Sequence, residues 1–196
     1  MNPLNVLVMP GSARQASLNR RLAAAAAARL AAAGAGVTTV DWAALDIPLY
    51  HGDVEAAGMP AGAVALWRQI AAHDAVLVVT PEYNAFPPPL LVNAFDWVSR
   101  VPAADGLPAG LGVTAGKVTG LLSASPGALG GLRSLMFLRQ FLQLSIGMLV
   151  VPEQFALGQA NQAFAEDGRL ADARQASGLQ RVIDALLRTA GAMRAA

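Results

Sequence analysis

The sequence contains no cysteine. This absence excludes disulfides, thiolate catalysis, and zinc or iron–sulfur sites with cysteine ligands, and it is typical of a cytoplasmic protein. Charged residues are also few, at 14% against 55% hydrophobic residues, and the mean hydropathy is +0.44. Even so, no run reaches the roughly 18 clean apolar residues that a membrane span needs. The first five residues lack the features of a secretion signal, so we expect a cytoplasmic protein without a membrane segment.

Other signatures are absent as well. The formal net charge is only +1, and no basic stripe with interleaved aromatic residues is present, so we expect no nucleic-acid partner. His51 and His73 are isolated from one another in the sequence, and no cluster of histidines and carboxylates has the spacing of a metal site. The nucleophile motif G-x-S-x-G and the zinc motif H-E-x-x-H are both missing. The sequence therefore predicts no metal centre and no hydrolytic site of these types.

Short apolar runs alternate with longer helical patterns along the whole chain. The runs predict strands near residues 4–9, 37–42, 75–80, 118–123 and 148–151. The intervening patterns predict five helices. The first begins near Leu18, and the other four cover about 64–72, 88–100, 131–145 and 170–192. Strands alternating with helices of this length indicate right-handed βαβ units and a parallel sheet. We therefore predict one α/β domain over residues 1–196, with helices on both faces of a five-stranded sheet.

The loop after the first strand has the composition of a phosphate site. Ser12, Arg14, Ser17 and Asn19 offer two hydroxyls, a guanidinium and a carboxamide close to the start of a helix at Leu18. Convergent donors, a helix amino terminus and one fixed positive charge suit a terminal phosphate. The alternative is that Ser17 or Asn19 only caps the helix. The loop matches neither the dinucleotide fingerprint nor the P-loop motif.

Two further loops follow strands three and four. The first is rigid, proline-rich and aromatic, and it suits either a flat ring or a simple turn before a helix; it comprises Pro81, Glu82, Tyr83, Asn84, Ala85 and Phe86. The second runs from Ser123 to Gly131, and its glycines permit a ligand to approach the backbone closely. In a sheet of strand order 2-1-3-4-5, the three loops meet in one crevice at the carboxyl ends of the strands.

The motifs in these loops resemble those of the NADPH-dependent FMN reductases, a family that includes chromate reductases, quinone reductases and azoreductases. The matching segments are Gly11-Ser12-x-Arg14-x-x-Ser17-x-Asn19, Pro81-Glu82-Tyr83-Asn84, Asn93-x-x-Asp96-Trp97-x-Ser99-Arg100 and Gly127-x-x-Gly130-Gly131-x-Arg133. The resemblance implies a flavodoxin-like three-layer sandwich that binds FMN. It also implies hydride transfer from NADPH or NADH through the flavin N5 to a small acceptor, in a ping-pong cycle.

The resemblance also assigns roles to individual residues. The FMN phosphate would be held by Ser12, Arg14, Ser17, Leu18 and Asn19. The isoalloxazine ring would be lined on one side by Pro81, Glu82, Tyr83 and Asn84, and on the other by Ser123, Gly127, Gly130 and their neighbours. Arg100 and Arg133 would lie near a subunit interface or the nucleotide entry path. Two residues depart from the family pattern: Phe86 replaces a small polar residue, and Val92 replaces a lysine.

Two other functions remain open at this stage. The chain could be a flavodoxin-type electron carrier, although its basic isoelectric point near 8.3 and Arg14 count against this. It could also be a non-catalytic flavin-binding protein. The helices predicted near 88–100 and 131–145 are apolar almost all round, which indicates either a large core or a homo-oligomer interface. We expect the interface, and the resemblance implies homodimers or dimers of dimers.

Overall fold

The computed structural model describes residues 2–195 and contains one five-stranded parallel sheet. Its strands are β1 (Asn5–Pro10), β2 (Gly36–Thr39), β3 (Ala75–Thr80), β4 (Val118–Ala124) and β5 (Leu149–Leu157). They lie in the order β2-β1-β3-β4-β5, and all neighbours are parallel. Because the order changes direction at β1 and β3, a crevice forms at the carboxyl ends of these strands. The predicted strand order is confirmed.

Helices cover both faces of the sheet. They are α1 (Leu18–Ala32), α2 (Trp42–Leu45), α3 (Gly52–Ala57), α4 (Ala61–Ala72), α5 (Pro89–Val98), α6 (Leu132–Gln140) and α7 (Ala173–Ala195). Side chains alternate along each strand, so that Val6 and Val8 pack with α1 and α7, whereas Leu7 and Met9 pack with α4, α5 and α6. All six residues of β3 are buried, as expected for a central strand covered on both faces. The predicted three-layer sandwich is confirmed.

Several boundaries differ from those predicted. The second strand ends at Thr39, and Trp42 instead begins α2, where its indole N–H donates to the Pro10 carbonyl. The helix predicted to reach residue 145 is α-helical only to Gln140 and continues as a π-helical turn over Phe141–Ser145. The fifth strand extends to Leu157, because its pairing with β4 shifts register between Thr119 and Leu121 and then continues. As an edge strand it tolerates the proline at position 152.

The two helices predicted to be apolar on all faces have different surroundings. The helix α5 is buried in the core of its own chain through Leu91, Ala94, Phe95, Trp97 and Val98. By contrast, α6 buries Ser134, Leu135 and Leu138 and leaves Leu132, Met136 and Phe137 exposed. Of these two helices, α6 is therefore the one that presents an apolar face to the outside of the chain. Within residues 2–195, no helix is both long enough and apolar enough to cross a membrane.

Candidate functional site

The loops after β1, β3 and β4 meet in one cleft of about 360 Å³ at the carboxyl edge of the sheet. Its lining residues are Ser12, Arg14, Ser17, Leu18, Asn19, Pro81, Glu82, Tyr83, Ala124, Ser125 and Pro126. The structure thus brings together every residue predicted from the first loop and three of the four predicted from the second. Asn84, Ser123, Gly127 and Gly130 are not among the lining residues. The third loop instead contributes three residues that sequence reasoning did not single out.

The first loop places polar groups around the start of α1. Ser17 is the N-cap residue, and its hydroxyl accepts a hydrogen bond from the Asn19 amide at 3.2 Å. Ser12 and Ser17 are both buried, whereas Arg14 is exposed and its guanidinium donates to the Ala16 carbonyl at 3.3 Å. Capping and a donor-rich cleft therefore coexist in this loop. A helix amino terminus with a nearby guanidinium can bind an anion.

Asn19 joins this loop to the end of β4. Its carboxamide nitrogen donates to the Ala124 carbonyl at 2.9 Å, and its oxygen accepts the Ala124 amide at 2.9 Å. Both polar atoms of the buried side chain are thus bonded to one backbone residue. Asn19 thereby fixes the spacing between the first and third loops across the cleft.

The second loop contains a tight two-residue turn. Tyr83 and Phe86 exchange backbone hydrogen bonds of 2.9 and 3.0 Å, and both Asn84 and Ala85 have positive φ, at 52° and 66°. Positive φ at both central residues is the type I′ geometry, which asparagine adopts readily and alanine does not. The turn places Tyr83 and Phe86 opposite each other, each about half exposed; Tyr83 lines the cleft, whereas Phe86 lies outside its lining. The Phe86 ring also contacts that of Phe137 on α6, with centroids 5.2 Å apart.

Glu82 anchors the same loop to α6. Its side chain is only 10% exposed, and it accepts hydrogen bonds from the Arg133 guanidinium and from the Ser134 amide. Burial alone would raise the pKa of Glu82, but the bonds from Arg133 and Ser134 outweigh it and hold the pKa below the ordinary value. The carboxylate is therefore charged, and it serves as a structural tie beside the cleft.

The third loop is shaped by glycines. Ser123 is buried and donates to the Gly130 carbonyl at 2.7 Å. Gly130 has a φ of 62°, and a Cβ there would lie 2.6 Å from the backbone nitrogen of Gly158. Ser123 and Gly130 thus hold the loop in shape from behind, while Ser125 and its neighbours form the wall of the cleft.

The motif on α5 fixes a different segment. The Asn93 carboxamide donates to the Pro48 carbonyl at 2.9 Å and accepts the Tyr50 amide at 2.7 Å, and the Trp97 indole also donates to Pro48. Arg100 pairs with Glu55 through Nε and Oε1 at 2.9 Å. Val92, like these residues, does not line the cleft. The motif therefore holds the chain before and within α3 against the core.

The cleft as a whole fits FMN. One end combines hydroxyls, backbone amides and the Arg14 guanidinium, which suit a dianionic phosphate. The other two loops contribute Pro81, Tyr83 and Pro126 to the lining, and these side chains suit a flat ring. Among residues 2–195, no three histidine or carboxylate side chains are grouped so as to hold a metal ion. The donor set is therefore that of a phosphorylated aromatic cofactor.

Comparison with known proteins gives the same result. Residues 4–162 match the family model described as NADPH-dependent FMN reductase. The chain is 38% identical over 169 residues to a quinone reductase of Pseudomonas putida, covering 86% of this chain and 85% of that protein. It is 36% identical over 184 residues to an NAD(P)H-dependent FMN reductase of Pseudomonas aeruginosa, covering 93% of each. Among solved structures, FerB, a flavoenzyme NAD(P)H:(acceptor) oxidoreductase from Paracoccus denitrificans, superposes with a TM-score of 0.80 at 31% identity, covering 96% of this chain and 97% of that one.

Proposed function

Because the chain belongs to the NADPH-dependent FMN reductase family, we propose that it uses FMN to pass electrons from NADPH or NADH to small quinone-type acceptors. One observation carries this proposal: the loops after β1, β3 and β4 line a single cleft, in which hydroxyls and the Arg14 guanidinium come from the first loop and Pro81, Tyr83 and Pro126 from the other two. All the lining residues come from one edge of one sheet, so a single FMN-binding domain over residues 1–196 suffices for the function.

The phosphate end would be formed by the first loop. Ser12, Ser17 and the Arg14 guanidinium would donate hydrogen bonds to the FMN phosphate, and the amino terminus of α1 at Leu18 would favour its negative charge. Asn19 would act as a positioning residue, because its bonds to Ala124 set the distance between the loops. Charge-assisted bonds from a guanidinium give this end both affinity and orientation.

The ring end would be formed by the second and third loops. FMN, when bound, supplies the redox chemistry by accepting a hydride from the nicotinamide and passing electrons to the acceptor. Pro81 and Tyr83 would pack against the ring, and the Asn84 turn would keep the Tyr83 side chain at the mouth. Glu82 would keep this loop in place through its ion pair with Arg133, and it would not act as an acid or a base. Ser123, Gly127 and Gly130 would hold the opposite loop in its shape.

The mouth of the cleft favours a flat aromatic acceptor. Tyr83 lines the cleft and is about half exposed, and Phe86 on the same turn is also about half exposed and contacts Phe137. Aromatic side chains stack on flat rings, so a quinone would find an apolar surface beside the flavin. The names of the Pseudomonas putida and other relatives, quinone reductases, point to the same class.

We also propose that the protein is a homo-oligomer. Exposed apolar side chains continue from α6 onto the segments that precede and follow it; they are Leu129, Leu132, Met136, Phe137, Leu144 and Leu149. Surfaces of this kind are typical of protein–protein contacts. Light scattering is expected to give a mass of at least twice the 20.1 kDa of one chain, and a monomeric mass would contradict the interface.

Initial-rate kinetics test the proposed function. FMN-loaded protein is assayed with NADPH and 1,4-benzoquinone, each varied against the other. Parallel double-reciprocal lines are expected, because the nicotinamide must leave before the acceptor occupies the same face. Rapid reduction of bound FMN with no turnover of the quinone would exclude the quinone class. No reaction with either nicotinamide would favour an electron carrier or a non-catalytic flavin-binding protein.

A further inference from the structure

A second cleft adjoins the loop after β1 on the side that faces β2. It has a volume of about 240 Å³ and opens at the carboxyl ends of β1 and β2. Ser12 lines both clefts, so the loop that carries it is the wall between them. Arg14 lines the first cleft, whereas Arg20, in the first turn of α1, lines the second together with Thr39 and Asp41.

The guanidinium of Arg20 is available to a ligand. It donates to the Ala13 carbonyl at 3.3 Å, which directs it toward the back of the phosphate loop. None of the ion pairs formed within residues 2–195 includes Arg20. An exposed guanidinium with one neutral partner retains several donors for an anion.

Asp41 is the acidic residue of this cleft, and two backbone amides partly offset its negative charge. Its Oδ1 accepts the backbone amides of Ala43 and Ala44 at 3.0 and 3.4 Å, because it caps α2. Asp41 follows the second strand of a parallel sheet. In the related dinucleotide-binding fold, an acidic residue after the second strand accepts a ribose hydroxyl, and a nearby arginine accommodates a ribose 2′-phosphate. Asp41 and Arg20 are the same residue types at the corresponding end of the sheet.

We propose that this second cleft binds the adenosine ribose of NADPH, with Arg20 bonding the 2′-phosphate and Asp41 accepting a ribose hydroxyl. The inference rests on the proposed function, since it assigns the electron donor of the same site. Arg14 and the loop hydroxyls are occupied by the FMN phosphate in that function, so a second phosphate needs a cation of its own. Arg20 supplies it directly behind the loop. Without Arg20, Asp41 would repel the 2′-phosphate, and selectivity would shift toward NADH.

Calorimetric titration of FMN-loaded protein with nucleotides that lack the nicotinamide group tests whether the second cleft binds the adenosine end of NADPH. The probes are adenosine 2′,5′-bisphosphate and AMP, which differ only in the 2′-phosphate. The wild type is expected to bind the bisphosphate at least about tenfold more tightly than AMP, the scale of one charge-assisted contact. In Arg20→Ala this preference disappears, while FMN retention is unchanged. In a parallel assay, the ratio of kcat/KM for NADPH to that for NADH falls at least about tenfold.

A matched control lies next to Arg20 on the same helix. The Arg21 guanidinium lies over the Phe164 ring, 4.4 Å from its centroid, and does not line the second cleft. Arg21→Ala removes the same charge and is expected to keep the wild-type preference for the bisphosphate. Equal binding of the two probes by the wild type, or an equal loss in both variants, overturns the inference. If Arg20 governs bisphosphate binding but NADPH does not reduce the flavin, the proposed function fails and the anion site remains.

Discussion

Arg133 on α6 donates through Nε to Oε1 of Glu82 at 2.8 Å. The bond joins the loop after β3 to the helix that follows the loop after β4. The carboxylate is largely buried, whereas the guanidinium is 57% exposed. Arg133 also donates through Nη2 to Oε1, and the Ser134 amide donates to Oε2 at 3.3 Å. The loop that presents Tyr83 is thereby bonded to the first turn of α6, and α6 also carries the exposed apolar face.

Glu82→Gln is expected to lower the free energy of unfolding by about 1.5–3 kcal/mol, because a buried carboxylate loses its charge-assisted bonds. The measurement is urea unfolding followed by circular dichroism. Asp105→Asn is the matched control, since Asp105 pairs with Arg68 and both side chains are more than half exposed. That change is expected to cost less than about 1 kcal/mol. Equal losses in the two variants would show that the Glu82 pair does not fasten the loop.

The Glu82 pair also gives the stability a pH dependence. Since its pKa lies below the ordinary value of 4.5 in the folded protein, the carboxylate contributes fully above that pH. The contribution is lost as pH falls through the lowered pKa. Urea unfolding at about pH 7, 5 and 3 is expected to show a constant difference between wild type and Glu82→Gln at the first two values and a smaller one at the third. A difference that grows toward acid would contradict the assigned direction.

Two glycines of the third loop are expected to respond differently to alanine. At Gly130 a Cβ would meet backbone atoms of residues 156–158 within 2.8 Å, and φ is positive. Gly130→Ala should therefore cost at least about 1–3 kcal/mol and weaken FMN binding. At Gly127 the nearest atom to a Cβ is Ser125 Oγ at 3.6 Å, so Gly127→Ala should change stability by less than about 1 kcal/mol. Thermal unfolding separates the two, and a tolerated Gly130→Ala would disprove the assigned role.

Arg14→Ala is expected to weaken FMN binding at least about tenfold, because one charge-assisted contact to the phosphate is lost. Quenching of flavin fluorescence during titration of FMN measures this directly. Arg181→Ala serves as the control, since Arg181 donates only to Ser177 on α7 and does not line the cleft. Unchanged affinity in Arg14→Ala would remove Arg14 from the phosphate site.

The strand order and the position of the cleft were predictable because they depend on local patterns. The run Ala75–Thr80 is apolar throughout, which marks a central parallel strand, and the bounds of β3 are those predicted. The donor-rich loop before α1 was likewise visible in consecutive residues. Once strands β1, β3 and β4 are neighbours, their loops must meet at one edge.

Features that depend on contacts between distant residues were not predictable. Nothing local to Glu82 or Arg133 indicates that they pair, since they are 51 positions apart. Trp42 has a side chain typical of strands, yet Asp41 caps a short helix that begins at Trp42, and the Trp42 indole donates to the distant Pro10 carbonyl. In the third loop, the path of the backbone after β4 decides which side chains face the cleft, and this path cannot be read from the local sequence. The sequence therefore pointed to Ser123, Gly127 and Gly130, whereas Ala124, Ser125 and Pro126 form the wall.

The central claim is that this chain holds FMN and reduces it with a nicotinamide. It is tested most directly by an anaerobic visible spectrum of the protein after incubation with FMN and desalting, recorded before and after NADPH is added. Retained flavin absorbance that bleaches on addition of NADPH is the predicted result. Loss of the flavin on desalting, or retained flavin that stays oxidised with both NADPH and NADH, would contradict the claim.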